Sequence, residues 1–162
     1  MSRTFSSWLS GPESAGARRT DSAPGERLGL PPSGPGSLAG FGRRLLALAL
    51  DYFIAVGLTA LAVPLGWITR EAFQYSPDVR FLMLGVWLVL GVAAVRLFGF
   101  TPGQYACGLQ VIAVDGGGTG VGMVRAVVRG LLIALVVPAL FADADGRGLQ
   151  DRTTATAVVR SR

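Results

Sequence analysis

Asp51 is a lone carboxylate inside an apolar run that extends from Leu45 to Thr69. A carboxylate in hydrocarbon is costly and by default marks a pairing or functional role. It lies seven residues past Arg44, nearly two helical turns, so both side chains share one helix face. Helical side chains lean towards the N-terminus, which draws Arg44 towards water and away from Asp51. Three more arginines border apolar segments: Arg96 near the end of one, Arg125 and Arg129 in the first turns of another. Measured by the helical rise, Asp51, Arg96, Arg125 and Arg129 fall in one leaflet. The expected arrangement is a buried polar cluster in which Asp51 pairs with Arg129 or Arg96. Such a cluster allows two chemistries. In one, Asp51 is an ion or proton site, and the arginines tune it or bind an anionic ligand or head group. In the other, the cluster only pins helices together.

Other chemistries are poorly served. The chain has no His, and all 15 basic residues are Arg. The usual general base, the commonest metal ligand and the Schiff-base amine are therefore missing. No nucleophile–base pair and no metal constellation is legible, so no enzyme activity, cofactor or metal is expected. The run Asp115-Gly116-Gly117-Gly118 lacks the Lys-Ser/Thr ending of a phosphate loop, and Asp143, Asp145 and Asp151 do not fit a calcium loop. Cys107 is the single cysteine, which excludes an internal disulfide and reads as a packing residue. The net charge is +5, but the arginines flank apolar segments and form no stripe, so no nucleic-acid partner is expected.

The elements that must carry these residues are membrane helices. Hydrophobic residues make up 51% of the 162, and charged residues only 15%, against about 25% in soluble domains. Residues 1–40, half of them Gly, Pro or Ser, read as a disordered cytoplasmic tail. Within it, Phe5, Trp8 and Leu9 have the spacing of a short membrane-surface or partner-binding anchor. Residues 41–162 form the membrane domain. Its expected class is all-α, with about three transmembrane helices near 44–68, 81–99 and 123–142 and a small cytoplasmic hairpin. The hairpin follows from the turn signal Thr101-Pro102-Gly103, an alternating strand from Leu109, and the glycines after Asp115.

The arginine excess before Leu45 places the N-terminus in the cytoplasm of a cell inner membrane. The segment 123–142 is ambiguous. If it spans, Arg147, Arg152, Arg160 and Arg162 lie outside, against the charge rule; if it is re-entrant, they stay inside. Length favours spanning, and the side of the C-terminus stays open.

The sequence resembles a known family. Arg44-Leu-Leu-Ala47-Leu-Ala-Leu-Asp51 is similar to the Arg-x-x-Ala-x-x-x-Asp opening of the RDD family of bacterial membrane proteins. Thr101-Pro102-Gly103, Gly108-Leu109-Gln110-Val111 and Asp115-Gly116 resemble its linker, with Gln110 in place of the usual Arg. Arg129 matches the arginine before its last apolar segment. Leu149-Gln150-Asp151 and Thr154-Ala155-Thr156-Ala157-Val158-Val159 resemble its closing motifs, with Gln150 for His and Ala155 for Gly. The resemblance implies that Arg44 and Asp51 are signature residues, with Asp151 favoured over Asp115 as the second aspartate. It also implies a multi-pass protein associated with transport of an ion or small ligand. Three helices are too few for a solitary transporter, so a homo-oligomer or a membrane-complex partner is expected beside the lipid bilayer. The alternative is an accessory subunit of a larger membrane complex.

Overall fold

The computed structural model describes residues 25–115, 120–135 and 148–162. The Phe5/Trp8/Leu9 anchor and the Asp143/Asp145 turn lie outside them. The described chain is mostly helical, with one small two-stranded sheet.

Helix α1 spans Phe41–Ala60, about 30 Å at the helical rise. It stops short of the expected residue 68. The next hydrogen bonds are Ala62 N–H to Thr59 and Val63 N–H to Ala60, both 3.1 Å, a tightening to three-residue spacing. Pro64 then has no N–H to give, and Gly66 turns the chain at φ 75°. The polar stretch beyond holds a short helix α2, Arg70–Tyr75, in which the Thr69 side chain at the N-cap accepts from Ala72 N–H. Helix α3, Pro77–Phe98, opens on proline with Asp78 in its first turn, and closes on Gly99 at φ 77°. These are standard start and stop signals. Among the described residues only α3 is both long and apolar enough to cross a membrane. α1 has the length but carries Arg43, Arg44 and Asp51.

Thr101-Pro102-Gly103-Gln104 forms more than a turn. It starts helix α4, Pro102–Ala106, through a reciprocal capping box between Thr101 and Gln104. Strand β1, Leu109–Ala113, follows. Its partner is not a local hairpin strand but β2, Thr156–Arg160, antiparallel from Leu109↔Arg160 to Ala113↔Thr156. On its other edge β2 meets the segment before α1: Leu38 bridges Val159, Ala39 N–H donates to Val158, and Arg160 N–H to Ser37. The ordered domain thus begins before residue 41, inside the block read as tail. β2 is buried at four of its five positions, Thr156 to Val159, so a β1 hairpin partner beyond Asp115 would have left it uncovered. Helix α5, Met123–Ala134, and the short α6, Leu149–Thr153, complete the order. The rest of the expected 123–142 helix lies outside the described residues.

The packing is inverted relative to a water-soluble domain. The core is small and partly polar: Ala47, Ala55, Ala94 and Ala126 are buried with Asp51, Thr101, Gln104, Arg129 and Asp151. Phe53, Leu61, Trp67, Phe81, Val89, Leu97 and Val124 are exposed. Water would penalise that surface, whereas lipid does not. Small residues let the helices approach. A Cβ on Gly130 of α5 would lie 2.9 Å from Leu88 and Val92 of α3.

Candidate functional site

Two buried polar centres sit where the helices meet the sheet. In the first, α6 delivers Asp151, fully buried, between two arginines. Arg44 Nη1 of α1 donates to Asp151 Oδ2 at 2.8 Å, and Arg44 Nη2 to the Val158 carbonyl of β2 at 3.3 Å. Arg129 Nη1 of α5 donates to Asp151 Oδ1 and, at 3.1 Å, to Thr156 Oγ1. Thr154 extends the network: its hydroxyl donates to the Gln150 carbonyl at 2.7 Å and lies 2.9 Å from that of Thr156. One carboxylate therefore ties α1, α5, α6 and β2 together. The Arg44 side chain runs into this network rather than out to water.

The second centre is Asp51. It is 4% exposed, yet its partners are not arginines. Oδ2 accepts from Thr101 Oγ1 at 2.5 Å, and Oδ1 from Gly103 N–H at 2.7 Å. The expected Asp51–Arg129 or Asp51–Arg96 pair does not form. Arg129 is taken by Asp151, and Arg96 is exposed at the end of α3. Asp51 instead caps α4 from a neighbouring helix. One oxygen takes a loose N–H of the helix start, which needs an acceptor when buried, and the other takes the hydroxyl of the N-cap residue Thr101. Gly103 is required here by space: a Cβ would fall 2.2 Å from the Ala47 carbonyl and 2.9 Å from Asp51 Oδ1. The same small residues, Ala47 and Gly103, let α4 lie against α1.

The expected single cluster thus divides. Arg44, Arg129 and Asp151 come together; Asp51 stands apart with Thr101, Gly103 and Gln104. Arg125 binds Asp115 at the surface, and Arg96 joins neither centre. The residues that sequence reasoning passed over, Thr101, Gln104 and Thr156, are uncharged. The signal for the first two was legible: Thr-x-x-Gln is a capping-box spacing.

A small cavity of about 40 Å³ lies against Asp51 of one centre and Arg129 of the other, with room for a water or two. Asp51, Thr101 and Gln104 line one side, Arg129 and Gly130 another, and Leu48, Trp87 and Leu88 the apolar remainder. A carboxylate and a guanidinium that do not touch thus face one space. Among the described residues no cluster of His, Cys, Asp or Glu could hold a metal.

No curated protein and no solved structure matches this chain. The model of the RDD family matches residues 38–154, a span that opens at Leu38, which bridges β2, and takes in Arg44, Asp51, Arg129 and Asp151. Over that span, well beyond half its length, the chain belongs to the RDD family.

Proposed function

We propose that this membrane protein lies in a bacterial inner membrane with its N-terminus in the cytoplasm. It takes part, as a homo-oligomer, in moving an ion or small ligand, with Asp51 as the working group. The observation that carries the reading is Asp51 itself: a buried carboxylate, ion-paired with no cation among the described residues, on a cavity that Arg129 also lines. Buried carboxylates in membranes are where ion and proton paths are built. An oligomer is part of this reading because the cavity between α1, α3 and α5 is only about 40 Å³, too small for a pathway within one chain. The test is flux of candidate ions in proteoliposomes. Asp51→Asn keeps one acceptor oxygen for α4 and removes the charge. A correctly inserted variant without flux supports the reading; undiminished flux overturns it.

The sheet supports one reading of the spans. β2 pairs with β1, which follows α3, and with Ser37 and Leu38, which precede α1. If α1 and α3 cross, all three segments lie on one side. On this reading α5 enters from the side on which α6 and β2 stand, which supports the re-entrant alternative for this segment. This reading keeps Arg147, Arg152, Arg160 and Arg162 in the cytoplasm, as the charge rule asks.

A second reading, an accessory subunit of a larger complex, is favoured by the Arg44–Asp151–Arg129 network, which needs no ligand to explain it. Gentle purification with identification of co-purifying chains decides between them. A fixed-ratio partner supports the subunit; a homo-oligomer alone supports transport.

A further inference from the structure

A third feature lies apart from both polar centres. At the end where α1 begins, an open groove of about 440 Å³ is lined by Arg43, Leu46 and Leu50 of α1, by Cys107 and Gly108 after α4, and by Arg162 beyond β2. Arg43, Leu46 and Leu50 recur at three- and four-residue spacing, so they form one stripe running about 10 Å down the helix. The stripe passes from a cation to apolar side chains that continue the exposed apolar face of α1. Neither arginine forms an ion pair among the described residues, and no carboxylate side chain lines the groove. Arg162 is held in place. Its guanidinium carbon stands 5.7 Å from the Tyr105 ring centroid, and its Nη2 donates to the Tyr105 carbonyl at 3.3 Å. Its stem lies over Gly108, where a Cβ would come within 3.2 Å.

Two cations at the mouth of a groove with an apolar floor match one kind of molecule: an anion joined to a hydrocarbon chain. We infer that this groove binds an anionic glycerophospholipid. The phosphodiester sits between Arg43 and Arg162, and an acyl chain lies along Leu46 and Leu50. Guanidinium groups suit phosphate geometry, and basic pockets at the membrane surface select anionic head groups. The site rests on the membrane location alone and is independent of whether Asp51 works in transport.

The test uses the full chain in detergent, titrated with phosphatidylglycerol or phosphatidylcholine of identical acyl chains. Bound lipid is read by native mass spectrometry, and protection of Cys107 from N-ethylmaleimide locates it. Phosphatidylglycerol should be retained and should slow Cys107 alkylation, whereas phosphatidylcholine should do neither. Arg43→Gln with Arg162→Gln should raise the phosphatidylglycerol needed on the order of tenfold. Arg70→Gln with Arg80→Gln makes the same charge change at the other end of α3 and should leave retention and protection as they are. Equal retention of both lipids overturns the inference, as does equal loss in the two double variants. Protection by inorganic phosphate alone makes this a phosphate site instead. Protection that follows protein concentration without lipid makes it a contact between copies.

Discussion

At the scale of the residue, Asp151 carries more of the structure than Asp51. Removing one member of a buried charged network leaves the others uncompensated, which costs roughly 3–5 kcal/mol. Asp151→Ala strands the guanidiniums of Arg44 and Arg129 together, so the variant should be lost from the membrane or melt far below the parent. Thermal stability in detergent with immunoblotted abundance checks this. Asp51→Ala removes two hydrogen bonds to a charged acceptor, each worth about 1.5–3 kcal/mol. Asp51→Asn should retain much of that stability, because an amide oxygen still accepts one of them. Ala155 sits at φ 49°, before β2, in a region costly for residues with a Cβ. The resembling family pattern has Gly at this position, and the strain explains it. Ala155→Gly should therefore stabilise the chain by up to about 1 kcal/mol, seen as a higher melting temperature.

At the scale of the element, the strongest local signals were the reliable ones. The apolar runs in α1 and α3 and the strand at Leu109 follow from hydropathy and alternation. The ends of the elements were written in start and stop signals: Pro77-Asp78, Thr101-x-x-Gln104 and Pro64-x-Gly66. What spacing along one chain does not contain is the pairing of β1 with β2, more than forty residues apart. The same holds for the choice of partner for each charge. Depth in the membrane put Asp51 and Arg129 in one layer, and both do line one cavity. The contact itself was decided by α4 and α6, short helices whose capping donors and carboxylate met these groups first. Gly103→Ala tests how tightly α4 is seated. Its methyl would meet the Ala47 carbonyl, and overpacking of this kind costs about 1–3 kcal/mol. The variant should free the Asp51 carboxylate from α4, read as lowered thermal stability together with faster hydrogen exchange at Gln104 and Tyr105.

At the scale of the whole molecule, membrane residence was plain from composition, and the inverted distribution of large and small apolar residues agrees with it. The number of crossings was less accessible, because length and charge pull the 123–142 segment in opposite directions. The sheet supplies the missing constraint by joining segments that precede α1, follow α3 and follow α6. A reporter active only in the cytoplasm should therefore give signal when fused after Arg162, and none when inserted in the loop after Trp67. Signal at Trp67, or silence after Arg162, contradicts the proposed crossing pattern.

The order in which the chain leaves the ribosome gives the Asp151 network a further meaning. Arg44 is made first and Arg129 later, both before their shared carboxylate exists. Until residue 151 has been translated, the two guanidiniums lack that carboxylate, and the segment before α1 waits for its β2 partner. Maturation is thus gated by the last stretch of synthesis. A chain halted before Gly148 would lack both the carboxylate that Arg44 and Arg129 share and the strand on which the segment before α1 pairs.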